Sequence, residues 1–315
     1  MRGIFIHILF VIILLIVLPI IVCGGDKEKE EPEVKIRVCD SYEVFSMDLE
    51  EYVKCVVASE MPAMFCEEAL KAQAVATRTF AYKKINELSD KHEYADVCTD
   101  FGHCQAYKDK AIILEKWGDE KEIYWAKISR AVDETKNLVI CFRGNLILPV
   151  FHANSVGLTE SSKEIWSHVD IPYLQSVESP SVEDISSIKL SVKEFKDKIF
   201  GEYKDVRFSS DIFKDIEIIR NDSNRVRYLK ISGVKIAGEK VRKIFGLRST
   251  NFEIINIGND MIKIEVLGNG HGVGLSQVGA NEMAKCGENY QEILKHYYKG
   301  TNIISIHDIM NNLTK

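Results

Sequence analysis

The sequence predicts an α+β fold, in which a helical segment packs on mixed and antiparallel β structure. Two long helical patterns occupy the first third of the chain, and alternating apolar segments typical of strands dominate the remainder. Strand-rich stretches alternate irregularly with helices, which argues against a doubly wound parallel sheet. The 315 residues are 46% apolar and 28% charged. This composition excludes a disordered chain and a membrane protein with many spans.

The first element is an uncharged apolar stretch over residues 4–22, IFIHILFVIILLIVLPIIV. As a helix it is about 28 Å long, which matches the ~30 Å hydrocarbon core of a bilayer. Arg2 precedes it and the acidic sequence GGDKEKEEPE follows it, so the chain after residue 23 is expected outside the inner leaflet. The large residues before Cys23 favour an uncleaved anchor over a signal peptide or a lipid attachment site.

These features divide the chain into a single transmembrane helix at 1–23, a linker at 24–33 and an extracytoplasmic region at 34–315. The last region is long enough for one large domain or two subdomains. Without Arg2 its charges sum to 40 − 47 = −7, and it has no basic cluster. Nucleic acid is therefore excluded as an expected partner.

A hairpin and a helix open the extracytoplasmic region. VKIRVCD and YEVFSM alternate apolar and polar residues and predict two paired strands. Asp48 is a plausible N-cap for a helix that follows. Met61 precedes Pro62, and a residue before proline is pushed out of the helical region, so the helix is expected to end at Glu60.

A second helix is predicted over residues 66–87, with acids in its first turn and lysines in its last. Its many alanines allow a neighbouring helix to approach closely. A polar stretch follows, then a helix over residues 121–135. Beyond it, NLVICF, LILPVFHA, RYLKISGV, FEIINIG and MIKIEVLG are predicted strands, with short helices between them.

Glu60 is the first candidate for chemistry. An acid in the last turn of a helix lies at the negative end of the macrodipole, which disfavours its charged form. Apolar neighbours act in the same direction, because they solvate a carboxylate poorly. A carboxyl group that stays protonated near neutral pH can act as a general acid. A solvent-exposed glutamate at a helix end is the alternative.

Four separated motifs resemble the stage II sporulation protein D family. They are VVASEMP with EALKAQAVATRTFAY at 56–82, FHANSVGLTES at 151–161, IPYLQSVES at 171–179, and GNGHGVGLSQVGANEMA at 268–284. They occur in the family's order, and the likeness extends from about residue 34 to the C-terminus. The loop at 151 departs from the more common FHSTSGGxT at Ala153, Asn154 and Val156.

The resemblance implies a membrane-anchored lytic transglycosylase that cleaves peptidoglycan during engulfment in sporulation. Glu60 matches the family's catalytic acid. It would break the bond from N-acetylmuramic acid to N-acetylglucosamine, then take a proton from the muramyl 6-hydroxyl to close a 1,6-anhydro ring. A hydrolase needs two carboxylates, whereas this reaction needs one. No second acid lies at a sequence spacing from Glu60 that suggests a catalytic pair.

The other family-matched residues are expected to bind substrate. Arg78 could hold the lactyl carboxylate of muramic acid or carbonyls at the end of the first helix, with a structural salt bridge as the alternative. The remaining candidates offer hydrogen bonds or a stacking surface to a sugar: His152, Ser155, Tyr173, His271, Ser276 and Gln277. No GxSxG elbow or GxGxxG motif accompanies them, so a serine hydrolase and a nucleotide site are not expected.

His92, Cys98 and Cys104 recur at six-residue intervals, and His103 adjoins the last. Clostridial-type members of the family carry zinc on one His and two Cys at this spacing. The resemblance therefore implies a supporting, structural zinc ion on these three residues, with water or His103 in the fourth position. A Cys98–Cys104 disulfide and a catalytic zinc are the alternatives.

The resemblance also implies binding partners and a cellular location. The partners are glycan strands, the amidase stage II sporulation protein P and the scaffold stage II sporulation protein M. The expected location of the anchored chain is the mother cell's engulfing membrane, with its extracytoplasmic region facing the forespore wall. A module that binds the cell wall and activates an amidase without cutting is the alternative function, as suggested for relatives described as amidase enhancers.

Overall fold

The computed structural model describes residues 34–40, 43–87, 92, 94–166 and 169–313, and it has the α+β character that the sequence predicts. The helices are α1 (Leu49–Glu60), α2 (Glu67–Asn86), α3 (Lys110–Trp117), α4 (Lys121–Asp133), α5 (Ser162–Ile165), α6 (Val192–Glu202), α7 (Ile212–Asp215), α8 (Gly238–Phe245), α9 (Gln277–Lys285), α10 (Tyr290–Tyr297) and α11 (Ile306–Leu313). The strands are β1 (Lys35–Asp40), β2 (Glu43–Asp48), β3 (Val97–Cys98), β4 (Leu138–Phe142), β5 (Asn145–Leu146), β6 (Phe151–His152), β7 (Gly157–Leu158), β8 (Glu178–Ser179), β9 (Ile185–Ser191), β10 (Ile216–Arg220), β11 (Val226–Ile231), β12 (Val234–Ala237), β13 (Phe252–Asn256), β14 (Met261–Leu267), β15 (Leu275–Ser276) and β16 (Asn302–Ser305).

The strands form several small sheets. Four of these are antiparallel, with the orders β10-β11-β12, β13-β14-β9, β16-β4-β5 and β7-β8. The β2-β1-β3 sheet is mixed, because β1 pairs antiparallel with β2 and parallel with β3. β6 and β15 form a parallel pair. The mixed and antiparallel pairing that the sequence predicts is confirmed.

Helix α1 begins and ends where its sequence requires. The Asp48 side chain accepts hydrogen bonds from the backbone amides of Glu50 and Glu51, which caps the first turn. Met61 is extended, with φ −115° and ψ 144°, as expected before Pro62. Glu60 is consequently the last helical residue.

Helix α2 is the centre of the helical part. It contacts α1, α4, α9, α10 and β4, and its buried positions run all around its circumference. A helix covered on every side needs small residues where its neighbours approach. Its five fully buried alanines meet this need: Ala69, Ala72, Ala74, Ala76 and Ala81.

Two segments differ from the prediction. The stretch LILPVFHA is not one strand, because Pro149 has no amide hydrogen to donate and separates β5 from β6. Helix α3 lies in the stretch that we read as polar. Its start is marked by Asp109, whose side chain accepts a hydrogen bond from the backbone amide of Ala111.

A hydrophobic cluster of buried residues lies between Leu190 and Val266. It is built from the β9, β13 and β14 sheet, the β10–β12 sheet and the helices between them, with Phe195, Ile199, Leu229 and Phe245 among its members. Residues 35–315 group as one unit by contact. The predicted choice between one large domain and two subdomains stays a prediction.

The predicted anchor at 1–23 and linker at 24–33 lie outside the described residues. Within the described ranges, none of the helices combines the length and apolar character needed to cross a bilayer.

Candidate functional site

Glu60 lies in a cavity of about 540 Å³ that the helical segment and three loops enclose. The loops come from the stretches around residues 101–105, 149–153 and 269–271, and helix α8 adds one side chain. The lining residues are Glu60, Phe80, Phe101, Gly102, Cys104, Gln105, Pro149, Val150, Phe151, His152, Ala153, Arg242, Asn269, Gly270, His271 and Gln277. Glu60 is the one carboxyl group among these described lining residues.

The surroundings of Glu60 favour its protonated form. Burial raises the pKa of this carboxyl above its usual value of 4.5, and it outweighs the hydrogen bonds from Ala106 and Gln277, which lower the pKa. The backbone amide of Ala106 donates to Oε1 at 2.7 Å. Burial thus favours the protonated form of Glu60, as its apolar surroundings in the sequence indicated, and the exposed-glutamate alternative is wrong.

His152 and His271 form the neutral wall of the cavity, with ring centroids 5.6 Å apart. The amide of Val273 donates to Nδ1 of His271, so Nε2 of that ring carries the hydrogen and donates to the Phe151 carbonyl. Burial, followed by the charge of Arg242, lowers the pKa of His271 to about 4. Burial also lowers the pKa of His152 well below 6.5. Both rings are therefore neutral at pH 7.

The two loops that carry these histidines cross at close range, and glycine permits the crossing. Gly270 has φ +107°, and a Cβ there would lie 2.6 Å from Cβ of His152. Gly274 has φ +72°, and a Cβ there would lie 2.1 Å from the Val150 carbonyl oxygen. No L side chain fits either place without moving backbone. The glycine-rich motif at 268–274 thus positions the site.

Three of the predicted substrate-binding residues, Ser155, Ser276 and Tyr173, do not line the cavity. Ser155 is 1% exposed, and its hydroxyl bonds Nε2 of His152. Ser276 caps α9 by accepting a hydrogen bond from the amide of Gly279. The hydroxyl of Tyr173 accepts from the amide of Leu148. Each of the three supports neighbouring backbone or side chains instead, whereas His152, His271 and Gln277 do line the cavity.

Arg78 requires a correction, because its side chain is fully buried and already engaged. Its Nε and Nη2 donate to the two carboxylate oxygens of Glu50 at 2.7 and 2.6 Å. Nη1 and Nη2 also donate to the carbonyls of Leu138 and Val132. The guanidinium does not reach the cavity, so the expected contact with a substrate carboxylate is wrong. The structural salt bridge is the correct alternative.

His92, Cys98, His103 and Cys104 come together beside the cavity. One ligand atom from each lies within 4.8 Å of all the others. Nε2 of His92 is 3.4 Å from Sγ of Cys104, and Nδ1 of His103 is 3.4 Å from Sγ of Cys98. Both cysteines are free thiols. A tetrahedral zinc ion with ordinary bond lengths holds nitrogen and sulfur about 3.6 Å apart, so the four side chains fit this ion.

Sequence reasoning missed several lining residues, of which Gln105, Arg242 and Asn269 are polar. Gln105 follows Cys104 directly, and Asn269 lies inside the glycine-rich motif at 268–284. Arg242 is on α8, far from every motif in the sequence, and only the tertiary fold brings it to the cavity. Its Nε donates to the Leu247 carbonyl, and its side chain is 24% exposed.

Comparison with known proteins gives consistent results. A family model described as stage II sporulation protein matches residues 40–142. Stage II sporulation protein D of Bacillus amyloliquefaciens is 36% identical over 287 residues, which cover 89% of this chain and 81% of that relative. The Bacillus subtilis protein of the same name is 36% identical over 290 residues, 91% of this chain and 84% of its own length. The amidase enhancer of Bacillus subtilis is 24% identical over 305 residues, 80% of this chain but 40% of the enhancer.

Fold and site together define an α+β protein whose cavity is lined by polar and aromatic side chains and, among the described residues, by a single carboxyl group with a raised pKa. The extent and identity of the matches then fix its family. The chain belongs to the stage II sporulation protein D family, and it is a sporulation protein.

Proposed function

We propose that this chain is a lytic transglycosylase that cleaves the bond from N-acetylmuramic acid to N-acetylglucosamine in peptidoglycan. The observation that carries the proposal is that Glu60 is the one carboxyl group among the described lining residues and that burial raises its pKa. A glycoside hydrolase needs a second carboxylate to attack or to activate water. A lytic transglycosylase needs a single group that donates a proton and then accepts one.

The chemistry follows from the position of Glu60. In its protonated form the carboxyl group donates to the glycosidic oxygen as the bond breaks. The resulting carboxylate accepts the proton of the muramyl 6-hydroxyl, and that oxygen attacks C1 to close the 1,6-anhydro ring. Because the nucleophile belongs to the same sugar, little orientational entropy is lost. The amide of Ala106 at 2.7 Å keeps the carboxyl group aimed in both steps.

Arg242 takes the role that the sequence suggested for Arg78. It is the cationic side chain among the described residues that line the cavity. Its Nε donates to the Leu247 carbonyl, whereas Nη1 makes a long contact of 3.5 Å with Glu239, and the side chain is 24% exposed. A guanidinium in this state can bind the lactyl carboxylate of muramic acid in a bidentate manner.

Zinc on His92, Cys98, Cys104 and His103 has a structural role in this proposal. If zinc binds here, these four protein ligands would complete its coordination, as is typical of structural sites. Cys104 is two residues before Ala106, whose amide holds Glu60. Fixing Cys104 therefore fixes the donor that orients the acid.

A non-catalytic module that activates an amidase is the second candidate, because the amidase enhancer of Bacillus subtilis is a relative over 80% of this chain. The two functions share a glycan-binding cavity and differ in whether Glu60 transfers protons. The family resemblance further supports anchoring through residues 1–23 in the engulfing membrane, and partnership with stage II sporulation proteins P and M.

The test compares the purified full-length chain with its Glu60→Gln variant on glycan strands stripped of stem peptides. Mass spectrometry should find 1,6-anhydromuramyl ends with the wild type and none with the variant. Glu122→Gln, a substitution at an exposed position on α4, is the matched control and should cleave normally. Strands left intact by the wild type would favour the amidase-activating module, and reducing ends would indicate a hydrolase.

A further inference from the structure

Gln105 stands out in the cavity wall because its side-chain amide has no partner. The residue is 2% exposed and lines the cavity beside Glu60. Neither Nε2 nor Oε1 makes a hydrogen bond with any described residue. A buried amide left unpaired costs about 1–3 kcal/mol for each unsatisfied group.

The other two buried glutamines of this region are satisfied, which makes Gln105 an exception. Nε2 of Gln277 donates to Oε1 of Gln73, and Nε2 of Gln73 donates to Oγ1 of Thr77. Native proteins keep an unsatisfied buried polar group only where something else completes it or where function requires it. The location on the cavity wall indicates that a ligand in the cavity completes this one.

We infer that Gln105 recognises the acetamido group of an N-acetylated sugar. A glutamine amide offers one acceptor and two donor hydrogens, and an acetamido group offers the complementary N–H and C=O. The terminal torsion of glutamine is broad, so the amide can turn toward the cavity without backbone movement. This inference rests on the proposed glycan substrate and names the chemical group that the site selects.

The position of Gln105 would also place the sugar relative to the acid. The next residue along the chain, Ala106, donates its backbone amide to Glu60. An acetamido group bonded to the Gln105 side chain is thereby held one residue from the group that orients Oε1 of Glu60. The same contact would therefore select the N-acetyl group and align the glycosidic oxygen with Glu60.

The test measures binding without turnover, using the full-length chain with Glu60→Gln. Calorimetry compares the trimer of N-acetylglucosamine with cellotriose, which has the same β-1,4 backbone but a hydroxyl in place of each acetamido group. The Glu60→Gln chain should bind the acetylated trimer about tenfold more tightly or better, since one lost hydrogen-bonded pair has this effect. Adding Gln105→Met, which keeps the side-chain volume, should reduce this preference to within about twofold.

Two controls separate recognition from folding. Gln291→Met changes an exposed glutamine on α10 and should leave the preference unchanged. Thermal unfolding of Gln105→Met should occur at the wild-type temperature or above, because the substitution removes unpaired polar atoms from a buried place. A lower unfolding temperature would instead indicate a structural role and would overturn the inference.

The remaining outcomes are also decisive. A preference that survives Gln105→Met, or a chain that binds neither trimer, overturns the recognition of acetamido groups by Gln105. Failure of the proposed function has a different signature. In that case the wild type makes no anhydromuramyl ends, while the binding preference and its dependence on Gln105 remain.

Discussion

The carboxyl group of Glu60 illustrates how one residue acquires a function from its surroundings. It accepts a 2.7 Å hydrogen bond from a backbone amide, which by itself would lower its pKa. Burial acts in the opposite direction and is the larger effect. The result is a group that a hydrogen bond orients while burial raises its pKa, which is the combination that favours a general acid.

This balance predicts an unusual effect of pH on stability. Because burial raises the pKa of Glu60 in the folded state, the folded chain binds this proton more tightly than the unfolded chain does. The fold loses stability as the pH rises above 4.5, the ordinary value, toward the raised pKa. Glutamine stays neutral and can accept the same bond from Ala106.

The Glu60→Gln variant should therefore unfold at a higher temperature than the wild type at pH 8, and the difference should vanish at pH 4. Differential scanning calorimetry at both pH values measures this effect. Glu122→Gln, at an exposed position, should shift neither midpoint. A variant that is less stable than the wild type at pH 8 would show that burial does not dominate at position 60.

Arg78 gives a second prediction at this scale. Its side chain is 0% exposed and that of Glu50 is 12% exposed, so Arg78→Met leaves a buried carboxylate without its partner. The free energy of unfolding should fall by about 3–5 kcal/mol in urea denaturation. The double variant with Glu50→Gln should recover part of this loss. Arg130→Met, which breaks the exposed pair with Glu67, is the matched control and should change stability little.

Binding distinguishes this structural role from the substrate role that the sequence suggested. At a temperature where Arg78→Met is folded, the substitution made in the Glu60→Gln chain should leave the Kd for a disaccharide that contains muramic acid, and so carries the lactyl carboxylate, unchanged. A large loss of affinity in the folded variant would return Arg78 to the substrate site.

At the scale of elements, the loop between Cys98 and Cys104 joins the candidate zinc site to the cavity. Phe101 projects from this loop at 83% exposure and lines the cavity mouth. An aromatic ring in such a place is suited to stack on a sugar face. Thr99 ties the start of the loop to β1, through its amide to the Cys39 carbonyl and its hydroxyl to Asp40, while the amides of His103 and Cys104 bond the Asp100 carbonyl inside the loop.

Phe101→Ala should weaken binding of the N-acetylglucosamine trimer by about two- to tenfold while keeping the zinc. Cys98→Ser should lose zinc by elemental analysis and weaken trimer binding as well, because the loop is released. Phe200→Ala, at an exposed phenylalanine on α6, should affect neither. Equal zinc in wild type and Cys98→Ser would remove the metal assignment.

The helices and strands also show how much of the fold and the site could be predicted from the sequence. The end of α1 at Glu60 was predictable, because Asp48 and Pro62 act within one turn of the residues they control. The break between β5 and β6 at Pro149 could also have been predicted, because proline has no amide hydrogen to donate, but we predicted one continuous strand. The place of Arg242 in the cavity and the pairing of Arg78 with Glu50 were not predictable. Arg242 lies 182 positions from Glu60 in the sequence, and Arg78 lies 28 positions from Glu50. Such contacts depend on tertiary packing rather than on any local pattern.

At the scale of the whole molecule, the cluster between Leu190 and Val266 contributes to the cavity through α8. Phe195 is fully buried in this cluster and stacks on Phe245 with ring centroids 5.0 Å apart. Phe245 ends the helix that carries Arg242. The cluster's packing therefore fixes the position of a cation that the proposed function assigns to muramic acid.

Phe195→Ala should lower the free energy of unfolding by about 3–5 kcal/mol, the usual cost of removing a buried phenylalanine. Because the lost contact is in the cluster, hydrogen exchange should accelerate first at the amides of α8 and leave those of α2 protected. Binding of a muramic acid-containing disaccharide to the Glu60→Gln chain should weaken, as it should with Arg242→Gln, while the N-acetylglucosamine trimer binds as before. If Phe195→Ala weakens both ligands equally, the cluster supports the whole cavity and not Arg242 in particular. If it weakens neither while α8 exchanges faster, Arg242 does not hold the lactyl carboxylate.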